Sequence, residues 1–155
     1  FFHYVLSMIS KILFINGPNL NLLGEREQSQ YGSMSFDDLK KKCMEKSKNL
    51  SIELDFIHSN IEGEIINMIQ NANTKYDGII INAAGFTHTS VAIRDALEIY
   101  KKPKIEVHIS NIYSREEFRH KSLISNVVNG GIFGLGVEGY NLAILAMNNL
   151  LNENK

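Results

Sequence analysis

The chain has 155 residues, of which 44% are hydrophobic and 21% are charged, as is typical of one soluble globular domain with its own core. Its 16 basic and 17 acidic residues leave a net charge of −1, so no basic excess is available to bind nucleic acid. No apolar stretch is long enough to cross a membrane. The single cysteine, Cys43, excludes an intramolecular disulfide and a cysteine-rich zinc site.

The first ten residues are predicted to be an extension outside the folded domain. The chain begins with Phe1, and Met8 shortly precedes the first predicted strand. The segment 1–7 lacks the basic start and the long apolar run of a signal peptide. We therefore expect an N-terminal extension over residues 1–10, a single domain over residues 11–152, and a cytoplasmic protein.

Strands and helices are predicted to alternate along the whole domain. Short apolar runs predict five strands, at residues 11–16, 51–58, 77–82, 104–110 and 130–136. Periodic segments predict helices at residues 35–48, 62–72, 89–100, 115–121 and 138–151, with Ser35 as the N-cap of the first. This alternation favours a flavodoxin-like, doubly wound α/β domain, with a parallel sheet in the order 2-1-3-4-5 and helices on both faces.

Polar residues follow three of the predicted strands, in segments 16–21, 82–90 and 106–111. The carboxyl ends of parallel strands lie on one edge of the sheet, where this fold class binds its ligands. Glu106 and His108 are two residues apart in strand four and so point to the same face. Burying them is costly unless they pair or line a cavity, and a carboxylate beside an imidazole suits a general acid. The alternative is an edge strand with one solvated face.

The connection over residues 24–32 is long and polar for an α/β unit, which is typical of a lid but also of a solvated surface loop. It carries Arg26 and Tyr31. A cation about 4 Å from a phenolate stabilises it by roughly 4 kcal/mol at an effective dielectric of ~20, so one arginine could make Tyr31 a base. The available arginines are Arg26, Arg115 and Arg119. Glu25 and Glu27 would oppose this effect unless they point outward.

Other kinds of site find little support in the sequence. His58, His88 and His108 lie on different predicted elements, without the spacing of a metal site. No glycine-rich nucleotide motif is present, Ser90 lacks a nucleophile elbow, and no lysine ends an apolar strand. We therefore expect neither a metal nor a cofactor.

Four blocks of sequence stand out together: residues 17–26 (GPNLNLLGER), 31–32 (YG), 87–96 (THTSVAIRDA) and 106–111 (EVHISN). These blocks resemble the signature of the type II 3-dehydroquinate dehydratases. Their order and spacing match from residue 11 to about residue 150. The resemblance implies loss of water from 3-dehydroquinate, giving 3-dehydroshikimate in the shikimate pathway, without a cofactor or metal. It also implies a homododecamer built from trimers.

The resemblance assigns a role to each site residue. Tyr31, activated by Arg26, would take a proton from the carbon beside the substrate ketone. Asn19 would hold a water against the resulting enolate. His108, oriented by Glu106, would protonate the departing hydroxyl. The substrate would be held by Asn82, His88, Arg119 and the backbone amides of Ile109 and Ser110, with Asp95 contributing at a subunit contact.

Two positions depart from the family pattern, because Gln28 and Ala83 stand where prolines are usual. Neither change removes a functional group. Two flavodoxin-like alternatives lack their markers. A flavin binder should have a Ser/Thr-rich loop after strand one, and a phospho-acceptor module should have an aspartate where Asn82 stands. A catalytically dead relative is disfavoured because Arg26, Tyr31, Glu106 and His108 are all present.

Overall fold

Five parallel strands form the central sheet of the computed structural model, which describes residues 9–153. The strands are β1 (Ser10–Asn16), β2 (Ile52–His58), β3 (Gly78–Asn82), β4 (Lys104–His108) and β5 (Gly130–Phe133). Their order in the sheet is β2-β1-β3-β4-β5, which confirms the predicted flavodoxin-like arrangement. The predicted extension over residues 1–10 lies outside the described residues except for its last two positions.

Four helices lie close to their predicted positions, and a fifth is a single turn within the segment 24–32 that was predicted to be a loop. They are α1 (Gln28–Tyr31), α2 (Phe36–Asn49), α3 (Glu62–Lys75), α4 (Val91–Ile99) and α5 (Glu138–Glu153). Ser35 Oγ accepts a hydrogen bond from the Asp38 amide at 3.1 Å, which confirms the predicted N-cap of α2. Ser90 caps α4 in the same way, so this helix begins two residues later than predicted. The predicted helix over residues 115–121 is a single 3₁₀ turn, Glu117–Arg119.

Helices cover both faces of the sheet, and the alternation of β1 divides the core between them. Ile12 and Phe14 are fully buried against one group of side chains, which includes those of α2 and α5. Leu13 and Ile15 are buried on the other face, with side chains of α3 and α4. No helix within residues 9–153 combines the length and the apolar character needed to span a bilayer.

Two glycines shape the edge of the sheet at which the strands end. A Cβ on Gly17 would lie 2.6 Å from the Ala83 carbonyl oxygen, so only glycine lets the turns after β1 and β3 approach this closely. Gly134 has φ +82 and stops β5 three residues short of its predicted end. The strand β4 also ends early, at His108, two residues short of its predicted end at residue 110.

Candidate active site

A polar cavity of about 110 Å³ opens at the carboxyl ends of β1, β3 and β4. It brings together segments that are distant in the chain, as the fold class predicts. Of the predicted site residues, it is lined by Asn19, Arg26, Tyr31, Asn82, His88, His108, Ile109, Ser110 and Arg119. Arg115 also lines the cavity. Glu106 and Asp95 lie outside this lining.

Glu106 and His108 form a buried pair, as their spacing in strand four predicts. His108 Nε2 lies 2.6 Å from Glu106 Oε2, and the side chains are only 8% and 4% exposed. The strand β4 lies between β3 and β5, so the alternative of a solvated edge strand is wrong. Because Nε2 is engaged by the carboxylate, Nδ1 is the ring nitrogen that remains for a ligand.

The Glu106 carboxylate receives two further hydrogen bonds from serine hydroxyls. Ser122 Oγ donates to Oε2 at 2.9 Å, and Ser125 Oγ donates to Oε1. Burial alone would raise the pKa of Glu106. The bond and charge of His108, together with the two hydroxyls, outweigh burial and hold the pKa of Glu106 below its ordinary range. The carboxylate is therefore anionic at neutral pH, with its charge beside His108 Nε2.

Two arginines contact Tyr31, which ends the single turn α1 in the long loop. Arg115 Nη1 donates to the Tyr31 hydroxyl at 2.6 Å, and its side chain is 6% exposed. The Arg26 guanidinium lies over the Tyr31 ring, 4.6 Å from its centroid. The family resemblance implied that Arg26 activates Tyr31. The direct hydrogen bond to the Tyr31 hydroxyl comes instead from Arg115. Both positive charges therefore lie beside the Tyr31 side chain.

One of the two glutamates in the loop does not point away from these arginines. Glu27 Oε2 lies 3.3 Å from Arg115 Nη2 and 3.7 Å from Arg26 Nη2, so its charge offsets part of theirs. Glu25 is exposed. The condition that both glutamates point outward therefore holds for Glu25 and fails for Glu27. The Gln28 side chain, where proline is usual in the family, donates to the Gly24 carbonyl at 3.0 Å and closes the turn.

A buried hydrogen-bond network fixes the direction of the Asn82 amide. Asn82 Oδ1 accepts from the Ala84 amide at 3.1 Å, and Nδ2 donates to the Tyr140 hydroxyl at 2.9 Å. Tyr140 in turn donates to Asn16 Oδ1 at 2.7 Å. Burial raises the pKa of Tyr140 well above its usual range, so the phenol keeps its proton. The second hydrogen on Asn82 Nδ2 therefore remains for the cavity, which makes Asn82 a donor to a ligand.

His88 is held as a neutral imidazole with one nitrogen engaged. Its Nδ1 lies 2.8 Å from the Lys121 carbonyl, so Nδ1 carries the proton and Nε2 is an acceptor. Burial is the main cause that lowers the pKa of His88, and the nearby charges of His108 and Arg119 act in the same direction. Asn82 and His88 thus offer one donor and one acceptor, which suits a ligand that carries hydroxyl groups.

Asn19 has a left-handed backbone, with φ +70. Its amide donates to Asn60 Oδ1 at 2.9 Å, which holds the turn after β1 against the end of β2. Asp95 lies on α4, where it is largely exposed and 3.5 Å from Arg94. Within residues 9–153, no three His, Cys, Asp or Glu side chains come together as a metal site.

Sequence reasoning missed several groups that support the cavity. Arg115 was only one of three available cations, and nothing in the sequence singled it out as the partner of Tyr31. Ser122 and Ser125 lie in an irregular segment without periodicity, so no pattern pointed to Glu106. Tyr140 reads as an ordinary core residue of α5.

The fold and the cavity define an α/β enzyme in which a tyrosine, a paired histidine and arginines face one small polar site. The chain matches the family model described as dehydroquinase class II over residues 10–148. It is 51% identical, over 143 residues, to a 3-dehydroquinate dehydratase of Sulfurovum sp., covering 92% of this chain and 88% of that protein. The chain therefore belongs to the class II dehydroquinase family.

Solved structures agree with this assignment. A type II dehydroquinase from Propionibacterium acnes superposes with a TM-score of 0.89 at 41% identity, covering 92% of this chain and 98% of that one. A type II dehydroquinase from Butyrivibrio crossotus also superposes with a TM-score of 0.89, at 49% identity, covering 90% of this chain and 98% of that one. The resemblance of the four sequence blocks is confirmed.

Proposed function

We propose that this chain dehydrates 3-dehydroquinate to 3-dehydroshikimate, a step of the shikimate pathway that leads to aromatic amino acids. The observation that carries the proposal is one cavity lined both by an arginine-bonded tyrosine and by a carboxylate-paired histidine. Elimination of water next to a ketone needs one group to remove a proton and another to deliver one.

Tyr31 is the base in this mechanism. Arg115 and Arg26 stabilise its phenolate, which removes a proton from the carbon beside the ketone and leaves an enolate. Asn19 lies in the lining and holds a water against the enolate oxygen. Fixed dipoles contribute most to catalysis where charge develops during the reaction, as it does on the enolate oxygen.

His108 is the acid. The imidazolium, paired through Nε2 with Glu106, delivers the Nδ1 proton to the departing hydroxyl as the carbon–oxygen bond breaks and water leaves. After one turnover Tyr31 carries the proton from carbon and His108 lacks one. Transfer through solvent restores both groups and leaves no net change in the enzyme.

The remaining lining groups hold the substrate. Asn82 donates to one ring hydroxyl and His88 Nε2 accepts from another, while Arg119 lies beside them in the lining. The amides of Ile109 and Ser110 follow β4 and bind the carboxylate. These contacts would exclude a substrate that lacks the hydroxyls, because the polar groups of the site would remain unpaired.

The test is to mix the purified protein with 3-dehydroquinate and follow the ultraviolet absorbance of the conjugated product. We expect turnover within the range from about pH 6 to 9. Borohydride added with substrate should leave the activity unchanged, because no lysine imine forms. Folded protein without turnover over this range would refute the proposal.

We also propose that the chain forms a homododecamer built from trimers and acts in the cytoplasm. Exposed apolar side chains along the edge strand β5 and beside it support an assembly. Tyr113, Phe133 and Leu135 are 53%, 44% and 56% exposed. Asp95, exposed and outside the cavity of its own chain, is available for a subunit contact. Light scattering should give about twelve times the 17.5 kDa chain mass, and a monomer would contradict the assembly.

A further inference from the structure

The carboxylate of Glu106 is held from behind by the segment that follows the Glu117–Arg119 turn. Ser122 and Ser125 both donate to it, and neither serine lines the site cavity of about 110 Å³. Ser125 instead lines a second cavity of about 160 Å³, together with Glu106 and His108. The Glu106 carboxylate is therefore the contact through which these hydroxyls would act on His108.

The two serines differ in their other contacts. Ser122 Oγ also accepts the backbone amides of Ile124 and Ser125, at 3.2 and 3.1 Å, so it builds the local turn as well. Ser125 Oγ has Glu106 Oε1 as its one hydrogen-bond partner among the described residues. Ser125 thus gives a cleaner view of what the hydroxyl does for the carboxylate.

We propose that Ser125, assisted by Ser122, is a positioning residue that keeps Glu106 ionised and aimed at His108, and so maintains the histidine as a strong acid. The proposal rests on the dehydratase function assigned to His108 above. Glu106 is 3% exposed, so protein donors must replace the water that would otherwise solvate its charge.

Loss of the donor on Oε1 changes the balance within the pair. An under-solvated carboxylate draws the Nε2 proton across the 2.6 Å hydrogen bond, which gives a carboxylic acid beside a neutral imidazole. A neutral imidazole still carries a proton on Nδ1 but is a far weaker acid towards a departing hydroxyl. Chemistry would slow, whereas the groups that bind the substrate would stay in place.

A purely structural role makes a different prediction. If Ser125 only ties its loop to β4, Ser125→Ala should lower both stability and activity. Each of these losses should then be the same whether residue 106 is glutamate or glutamine. A double-mutant cycle separates the two roles, because only a residue that acts through Glu106 loses its effect when Glu106 is replaced.

The experiment compares Ser125→Ala and Ser125→Thr in the native protein, and Ser125→Ala in a Glu106→Gln background. We expect Ser125→Ala to lower kcat roughly tenfold or more, as for one hydrogen bond to a charged group, with KM changed less than about twofold. Ser125→Thr keeps the hydroxyl, and the residue is exposed enough to accept a methyl group, so it should restore most of kcat. In Glu106→Gln, the alanine substitution should change kcat less than about twofold.

Equal losses in both backgrounds, or an unchanged kcat in Ser125→Ala, would overturn the proposal. If Ser125→Ala does not fold, Ser125→Cys keeps a side chain of similar shape with a weaker donor and is measured in the same two backgrounds. An inactive native protein would instead refute the dehydratase function, so the two failures are distinguishable.

Discussion

Replacing Arg115 with alanine should remove the direct hydrogen bond to the proposed base. Arg115 Nη1 is 2.6 Å from the Tyr31 hydroxyl, and with 6% exposure its charge is poorly screened by solvent. A cation at about 4 Å stabilises a phenolate by roughly 4 kcal/mol at an effective dielectric of ~20. The charge of Glu27 offsets part of this stabilisation. We therefore expect Arg115→Ala to raise the activation free energy by about 2–4 kcal/mol, which lowers kcat roughly 30- to 1000-fold near neutral pH.

The loss should appear mainly in kcat, because Arg115 contacts the atom that removes the proton. Glu27→Gln should act in the opposite direction, because it removes the carboxylate that lies 3.3 Å from Arg115 and 3.7 Å from Arg26.

The assay is the pH dependence of kcat for Arg115→Ala, Arg115→Lys and a matched control. Lys41→Ala removes one positive charge from an exposed position of α2 and should leave the profile unchanged. Arg115→Lys keeps the positive charge but loses the planar guanidinium group, so its kcat should lie between those of the native protein and the alanine variant. A folded Arg115→Ala variant whose kcat stays within about threefold of the native value across the profile would refute this reasoning.

Three further predictions concern groups in and around the cavity. Tyr140→Phe removes the hydroxyl that pairs with Asn16 Oδ1 and Asn82 Nδ2, so it should raise KM and lower the free energy of unfolding by about 1–3 kcal/mol per unpaired group. An unchanged KM would contradict the role of the network. Ala83→Pro should raise the free energy of unfolding by about 0.4–1 kcal/mol, because the φ angle of Ala83 is already −76. A lower melting temperature would contradict this and would show that the buried position lacks room for the proline ring. Burial lowers the pKa of His58 and of His88, so below about pH 6.5 the unfolded chain binds more protons than the folded chain. The free energy of unfolding should therefore fall as pH drops through that value. A melting temperature that is equal at pH 7.5 and 5.5 would contradict this prediction.

The sheet and the acid pair could be predicted because strand periodicity decides them. Alternation along β4 put Glu106 and His108 on one face, and parallel topology put the ends of β1, β3 and β4 on one edge. These rules depend only on the spacing of residues along a strand. The spacing placed the two side chains on one face, and the structure shows that they pair, at 2.6 Å.

The surroundings of the acid and the base could not be predicted in the same way. The conformation of the loop over residues 24–32 decides which arginine reaches the Tyr31 hydroxyl, and no period governs an irregular loop. Ser125 reaches Glu106 across a sequence separation of 19 residues from a segment without strand or long helix. Such contacts are set by tertiary packing, to which local propensity gives no guide.

The central claim is that Tyr31 removes the proton that starts the dehydration, and Tyr31→Phe tests it most directly. The substitution keeps the aromatic ring beneath Arg26 and removes only the hydroxyl that Arg115 contacts. Steady-state turnover of 3-dehydroquinate and its dissociation constant should be measured on the same folded variant. We predict a fall in kcat of roughly 10²–10⁴-fold with binding largely unchanged, as for loss of a general base. A variant that retains kcat within about tenfold would contradict the account, because another group would then be the base.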